Sequence, residues 1–169
     1  MVALNAHIAA NVYLEFEESS DGYWMSTPYW CGEPMKDFVP DTCYCRALYQ
    51  FSIGSRRYLM KIDRSPAFLQ CPDELELWDS LEKRHKRYFV PLMHGNDGRD
   101  GSPPYVISPW VPNLTTWGEG YDCPLEWDEH RFLVEDLADY YGYRDLTFNK
   151  NWYLYNGRPL IVDYGCKRN

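Results

Sequence analysis

Apolar and polar residues alternate over short runs near the start of the chain, with the period that a half-buried strand imposes. Val12, Leu14 and Phe16 follow this period and predict a strand over residues 11–17. Residues 23–42 are rich in aromatic side chains but are broken by three prolines. Because prolines at this spacing interrupt a helix, the stretch predicts a packed loop or an irregular hairpin.

Four further runs of β-forming residues predict strands. Residues 42–53 and 57–62 flank the turn pair Gly54-Ser55, which predicts a hairpin. Shorter strands are predicted at Phe89–Met93 and at Tyr105–Ser108.

Two segments carry the signals of helices. Residues 72–87 begin with proline and acidic residues and end with basic ones, as the helix dipole favours. Residues 125–141 are acidic and amphipathic, and Gly142 ends them. The predicted buried stripe of this second helix consists of Phe132, Leu133, Leu137, Tyr140 and Tyr141.

The pair Asn156-Gly157 is the strongest turn signal of the chain. It lies between β-forming runs at 152–155 and 158–163, which predicts a hairpin with a two-residue turn. The order of strands, helix, strands, helix and hairpin predicts an α+β fold with a mostly antiparallel sheet. The length of 169 residues fits a single domain.

Charge and hydropathy restrict the kind of partner. The net charge is −8, which argues against a nucleic-acid partner because binding to phosphates needs positive charge. The apolar runs are shorter than the roughly 18 residues of a membrane span, so no membrane contact is expected. Since the first residues lack the features of a secretory signal, we expect a cytoplasmic protein.

The cysteines lack the paired spacing of a zinc site, and a domain of this size does not need disulfides. We therefore expect reduced thiols and no zinc. The six cysteines are Cys31, Cys43, Cys45, Cys71, Cys123 and Cys166.

Aromatic residues make up 17% of the chain. Tyrosine and tryptophan anchor protein interfaces as well as cores. This composition predicts a sheet-rich domain with a surface that binds another protein.

Charged residues in apolar surroundings mark the candidate chemistry. Lys61 lies inside an apolar strand, where its ammonium group needs an anion. Glu74 shares a helix stripe with Trp78 and Leu81, so its carboxylate faces inward and could pair with Lys61. Later in the chain come Arg144-Asp145-Leu146, Asn151 and Asp163-Tyr164-Gly165.

In this order the residues resemble those of the protein-kinase-like family from about residue 45 to the end of the chain. The resemblance implies that Lys61 holds nucleotide phosphate, Glu74 tethers Lys61, and Asp145 is the catalytic base. It also implies that Asn151 and Asp163 bind magnesium, and hence that ATP and Mg²⁺ are cofactors. The implied fold is one kinase-like domain over 1–169. Its antiparallel-sheet N-lobe with one helix covers about 1–111, including a hinge at Tyr105–Val111, and a truncated helix-plus-hairpin C-lobe covers about 112–169.

The sequence also departs from the family pattern. The sequence contains no glycine-rich motif of the kind that covers the phosphates in kinases, and Tyr143 replaces the histidine of the catalytic loop. Asn151 follows Asp145 by six positions where the family motif has five, which leaves three alternatives: Asn151 is the ligand, Asn149 is the ligand, or neither is. The chain ends four residues after Gly165, so we expect no activation segment and no later C-lobe helices.

Three interpretations follow, and the sequence leaves open whether the protein is an enzyme. The first is a truncated kinase-like, or pseudokinase, binding module that regulates or inhibits a partner protein through aromatic and acidic surfaces; a homodimer that completes the lobe is a variant of it. The second is a small, active ATP- and Mg-dependent phosphotransferase of the Ser/Thr kinase type. The third is an unrelated α+β fold.

Overall fold

The computed structural model describes residues 2–37, 45–112, 115–116, 135–148 and 151–165. The protein is α+β with antiparallel sheets. The chain divides into two units, Met1–Leu75 with Pro91–Trp110, and Glu76–Val90 with Val111–Asn169. The predicted single domain with a boundary near residue 111 stays a prediction.

The first unit begins with a helix that the sequence reading did not predict. Helix α1 covers Val2–Asn11, and its Ile8 side chain is fully buried. Its four alanines favour a helix, but the segment lacks the separate apolar and polar faces from which a helix is predicted.

A three-stranded sheet follows the helix. Its strands are β1 (Val12–Glu18), β2 (Trp24–Trp30) and β3 (Glu33–Pro34), in the order β1-β2-β3. Strand β1 confirms the predicted strand, whereas β2 is more regular than the expected loop or irregular hairpin. Pro28 lies in β2 opposite Leu14, and its carbonyl accepts the Met35 N–H at 2.8 Å. Because proline has no backbone N–H, β2 donates no hydrogen bond at this position.

The larger sheet of this unit has five antiparallel strands in the order β4-β5-β6-β8-β7. Strands β5 and β6 form the predicted hairpin around Gly54, which has a positive φ of 60°. The strand predicted at Tyr105–Ser108 is also present. The strand bounds are β4 Lys36–Asp37, β5 Arg46–Ile53, β6 Arg56–Asp63, β7 His94–Asn96 and β8 Tyr105–Pro109.

The strand predicted at Phe89–Met93 is wrong, because β7 begins only at His94. Within the second unit, the backbone N–H of Val90 binds the carbonyl of Ile161. Phe89 forms an isolated parallel bridge with the same residue, Ile161. The segment is therefore apolar because it is buried, although it is not a strand of a sheet.

Strand β6 separates an apolar face from a charged face. Tyr58, Met60 and Ile62 belong to the apolar core of the first unit, together with Ile8 of α1. Lys61 and its neighbours of the same parity point to the opposite face, as the period of a strand requires. Helix α2, Cys71–Ser80, follows β6 in the chain.

The helix predicted over 72–87 is too long. Helix α2 ends at Ser80, and a short 3₁₀ helix covers Lys86–Tyr88. The N–H of Glu82 binds the Tyr141 hydroxyl at 3.0 Å instead of continuing the helix ladder. Because the basic residues after Leu81 carry no apolar stripe, packing does not extend the helix.

The second unit contains a small sheet in the order β11-β10-β9. Its strands are β9 (Thr115–Thr116), β10 (Trp152–Tyr155) and β11 (Arg158–Ile161). The hairpin predicted at Asn156-Gly157 is confirmed. Both turn residues have positive φ, 51° and 70°, as a two-residue turn of this kind requires.

Helix α3 is described over residues 135–141, and the predicted residues 125–134 lie outside the described part. Leu137 is buried as predicted. Tyr140 is 64% exposed, so its place in the buried stripe is wrong. Its hydroxyl instead donates to the Glu82 carboxylate at 2.7 Å on the surface.

Candidate functional site

Lys61 and Glu74 meet in the first unit. Lys61 comes from β6 and Glu74 from the first turn of α2, and Lys61 Nζ lies 2.8 Å from Glu74 Oε1. Glu74 is fully buried and Lys61 is 6% exposed. The ammonium group therefore has the anion that its apolar strand demands.

Arg46 is a third member of this ion cluster, and the sequence reading missed it. Its Nη1 atom lies 2.6 Å from Glu74 Oε1, the same oxygen that Lys61 binds. Arg46 is 2% exposed. The hairpin register pairs Arg46 with Asp63, which places Arg46 on the face of the sheet that carries Lys61.

Asp63 anchors the beginning of α2 beside this cluster. Its Oδ2 accepts the N–H groups of Gln70 at 3.1 Å and Cys71 at 3.0 Å. These bonds satisfy two of the N–H groups that a helix leaves without internal partners. Burial raises the pKa of Asp63 to about 6, against the opposing effects of the Cys71 N–H and of Arg46.

The Cys71 thiol is also buried beside the ion cluster. It donates from Sγ to the Lys61 carbonyl at 3.5 Å, and burial raises its pKa well above the usual value. A thiol with a raised pKa is a weak nucleophile. Cys31 and Cys45 are also free thiols, whereas Cys43, Cys123 and Cys166 lie outside the described residues.

The raised pKa of Asp63 gives a testable pH dependence. The folded protein binds this proton more tightly than the unfolded chain, so the free energy of unfolding falls as pH rises from about 4 to about 6. With a pKa of about 6 in the folded protein, the fall is at most about 3 kcal/mol. In Asp63→Asn this fall should disappear, while the amide oxygen can still accept both N–H groups.

Urea unfolding of the wild type and Asp63→Asn across this pH range measures the effect. Asp79→Asn, an exposed change on the same helix, is the control and should follow the wild type. Parallel pH profiles for the wild type and Asp63→Asn would contradict the assignment.

The remaining predicted site residues lie in the second unit. Asp145 is on a short 3₁₀ helix, Arg144–Thr147, and is 8% exposed. The Asn151 side chain donates from Nδ2 to the Asp145 carbonyl at 3.1 Å. Trp152 donates from Nε1 to the Leu146 carbonyl at 2.8 Å, so two side chains hold this turn.

Asp163 follows β11 and is half-buried. Tyr164 fixes this segment because its hydroxyl donates to the Val90 carbonyl at 3.0 Å. Asn149, the alternative to Asn151, lies outside the described residues. That Asp163 shares a cleft with Lys61, and that Asp145 is a base, stay predictions.

Magnesium prefers carboxylate and amide oxygens, which Asp163 and Asn151 can supply. The donor chemistry of these two residues therefore fits the cation that the resemblance implies. Among the described residues, no group of three or more His, Cys, Asp or Glu side chains is close enough to share a metal. Lys61, which would meet the phosphates, is bound to Glu74.

The hairpin β1–β2 has a second set of distinctive residues. It exposes four large hydrophobic side chains together with the carboxylates of Glu15, Glu17 and Glu18. The rings of Tyr13 and Tyr29 stack at 4.6 Å, and Tyr29 donates a hydrogen bond to Glu15. We call this surface the acidic aromatic hairpin; its exposed hydrophobic residues are Tyr13, Phe16, Tyr23 and Met25.

No protein-family model matches this chain, and no curated protein matches it either. None of the helices in the described part of the chain is both long and apolar enough to cross a membrane.

Proposed function

We propose that this protein is a kinase-like binding module that regulates or inhibits a partner protein in the cytoplasm. Its ion cluster serves as a scaffold, and its acidic aromatic hairpin contacts the partner.

Two features of the first unit support kinase-like ancestry. Lys61 is on β6, the third strand of the five-stranded sheet in chain order, and Glu74 is on the helix that follows. In the kinase-like family a lysine of the third strand pairs with a glutamate of the next helix. Here the third strand of the five-stranded sheet and the next helix carry a pair of the same residue types, which supports the proposal.

The observation that carries the choice of a binding module is the sharing of one glutamate oxygen by two cations. In an active kinase the lysine keeps its glutamate partner and also contacts nucleotide phosphates. Here Glu74 Oε1 binds both Arg46 and Lys61, and Lys61 is 6% exposed. An ion group of this kind holds β5, β6 and α2 together and presents little ammonium surface to a phosphate.

The acidic aromatic hairpin supports protein binding. Exposed hydrophobic residues that cluster on one element are typical of protein interfaces. Tyrosine side chains supply much of the contact area at such interfaces. The hairpin combines both properties with carboxylates at three of the seven residues of β1.

An active phosphotransferase is the second candidate, and the contact between Asn151 and Asp145 favours it. A catalytic loop must hold its base and its metal ligand close together. The bond from Asn151 Nδ2 to the Asp145 carbonyl joins the two segments that would carry these roles. In this candidate Asp163 and Asn151 would hold Mg²⁺, and Asp145 would accept the proton.

Affinity capture with the full tagged chain tests the proposal. We expect one partner in near-stoichiometric amount, with equal yield in the presence and absence of Mg-ATP. The double variant Asp145→Asn/Asp163→Asn should recover the same amount, because binding does not use the catalytic positions. Recovery of no stoichiometric partner, or a yield that depends on Mg-ATP and on these two residues, would contradict the proposal.

A further inference from the structure

Strand β1 has two faces with different chemistry. Tyr13, Glu15 and Glu17 share one face by the period of a strand, and all three are exposed. Contacts across the hairpin agree with this face. The rings of Tyr13 and Tyr29 stack at 4.6 Å, and the Tyr29 hydroxyl donates to Glu15 Oε2 at 3.0 Å. We call Tyr13, Glu15 and Glu17 the outer face of β1.

Val12, Leu14 and Phe16 form the opposite, inner face of β1. Val12 and Leu14 pack against the apolar core of the first unit. Phe16 follows them on the same face, yet it is 40% exposed. The core therefore covers the beginning of the inner face and leaves part of the Phe16 ring in contact with solvent.

The hydrogen bonds of the hairpin show which backbone groups of β1 are directed to β2. At one end the Cys31 N–H donates to the Asn11 carbonyl at 3.0 Å, and at the other end the Ser19 N–H donates to the Tyr23 carbonyl at 2.8 Å. Both pairs continue the register of β1 and β2. Bonded pairs alternate with unbonded pairs along an antiparallel ladder. The odd-numbered residues of β1 therefore bond to β2, and the even-numbered residues direct their N–H and C=O groups away from it.

Leu14 and Phe16 thus present backbone groups along the edge of β1 that faces away from β2. Strand β1 is at the end of its sheet in the described part of the chain, where no other backbone group bonds to these two residues. Pro28, the β2 residue opposite Leu14, agrees with this register because an unbonded pair needs no N–H from it. An exposed edge of this kind is a template for pairing with another chain.

The outer face selects cationic side chains in a strand that pairs with this edge. Opposite residues of paired strands share a face, with Cβ atoms about 4.5–5.5 Å apart. An added strand would therefore place side chains beside the Glu15 and Glu17 carboxylates. Tyr29 covers the β2 side of the Tyr13 ring, so the other side of this ring faces the edge. A guanidinium group fits both kinds of position, because it bonds carboxylates and stacks on aromatic rings.

The inner face selects apolar side chains at the positions between these cations. A residue opposite Phe16 would cover the exposed part of its ring, and a residue opposite Leu14 would extend the same apolar surface. The two faces together therefore fit an extended segment in which arginine and apolar residues alternate.

A second copy of this chain does not provide such a segment through β1 itself. The strand has carboxylates at three of its seven residues and no cation. Two β1 strands side by side would bring like charges together, which destabilises cross-strand pairs. The net charge of −8 acts in the same direction.

We propose that the edge of β1 pairs antiparallel with an extended segment of a partner protein in which arginine alternates with apolar residues. The arginines lie beside the outer face, and the apolar residues lie beside Leu14 and Phe16. Antiparallel pairing continues the arrangement of the sheet that β1 belongs to. The inference rests on the proposed function and specifies the contact through which the acidic aromatic hairpin binds its partner.

Titration calorimetry of the full chain with defined peptides tests this inference. The probe is a blocked heptapeptide of alternating arginine and valine that begins and ends with arginine. One control replaces arginine by uncharged citrulline, and the other keeps the composition but places all arginines before the valines. We expect the alternating peptide to bind at least about tenfold more tightly than either control. Only this peptide combines charge-assisted bonds on one face with apolar contacts on the other.

A pair of N-methylated peptides tests the strand pairing itself. In antiparallel pairing, the valines opposite Leu14 and Phe16 exchange backbone hydrogen bonds with them, whereas the arginine N–H groups are directed away from β1. N-methylation of two neighbouring valines should therefore lower the affinity at least about tenfold. N-methylation of two neighbouring arginines is the matched control and should change the affinity by less than about threefold.

Protein variants test the outer face. In Glu15→Gln/Glu17→Gln, which changes exposed side chains only, the affinity for the alternating peptide should fall at least about tenfold. Glu33→Gln, an exposed change on β3 at the other end of the sheet, should bind like the wild type. Circular dichroism melts show whether each variant is folded.

Any of four results would overturn the inference. They are no binding of millimolar alternating peptide to the folded wild type, equal binding of either control peptide, equal binding of the valine-methylated peptide, and equal binding by the Glu15→Gln/Glu17→Gln variant. A dimer of the protein alone that protects the Leu14 and Phe16 N–H groups from hydrogen exchange would assign the edge to a second copy instead. If a captured partner binds the wild type and the double variant equally, the proposed function stands and this site fails.

Discussion

Replacement of Glu74 by alanine should lower the free energy of unfolding by about 3–5 kcal/mol. Glu74 is fully buried, and its Oε1 atom binds Arg46 at 2.6 Å and Lys61 at 2.8 Å. Removal of the carboxylate leaves two cations in a low-dielectric interior without that anion. Urea unfolding of the wild type and Glu74→Ala measures the loss.

Two further variants separate the ion cluster from the helix. Asp79→Asn removes an exposed carboxylate from the same helix and should change stability by no more than about 0.5 kcal/mol. The triple variant Arg46→Met/Lys61→Met/Glu74→Leu removes the three charges of these two salt bridges and should recover much of the loss, because apolar replacements of buried ion groups are often neutral. A Glu74→Ala variant as stable as Asp79→Asn would contradict the cluster.

Replacement of Trp152 by alanine should lower the free energy of unfolding by about 3–5 kcal/mol. Trp152 is among the largest fully buried side chains among the described residues, and its Nε1 donates to the Leu146 carbonyl at 2.8 Å. Alanine creates a cavity beside the turn that carries Asp145. The second unit should therefore lose stability, and the geometry of this turn should loosen.

Trp152→Phe keeps most of the packing and removes the hydrogen bond. It leaves the Leu146 carbonyl without this donor, so it should cost about 1–3 kcal/mol, less than alanine. Tyr155→Ala changes the 39% exposed end of the same strand and serves as the surface control. If Trp152→Ala and Tyr155→Ala were equally stable, the packing role of Trp152 would be wrong.

Local patterns predicted the hairpins because their turns are chemically specific. Gly54 and Asn156-Gly157 occupy left-handed backbone conformations that few other residues adopt. The same turns also fix the register of each hairpin. With Gly54-Ser55 as the turn, the pairing of Arg46 with Asp63 follows, so a register argument could have found Arg46.

Other elements could not be read from local pattern, because distant contacts determine them. Helix α2 ends near Glu82, whose N–H binds Tyr141, a residue almost sixty positions later. The apolar run at Phe89–Met93 is buried by packing and forms no strand.

The same distinction applies to the candidate site, where some features follow from local sequence pattern and others depend on distant contacts. The inward position of Glu74 follows from helix periodicity, and the need of Lys61 for an anion follows from its apolar strand. The raised pKa of Asp63 depends on burial from all sides, and its position at the end of a strand gives no local sign of that burial.

Phosphate transfer from ATP tests the central claim most directly. The full chain is incubated with Mg²⁺ and ATP labelled at the γ-phosphate, alone and with its captured partner, beside the Asp163→Ala variant. A scaffold that binds its partner without catalysis predicts the same background label for both proteins. Label that accumulates with the wild type and is lost in Asp163→Ala would contradict this account and assign the protein to the active phosphotransferases.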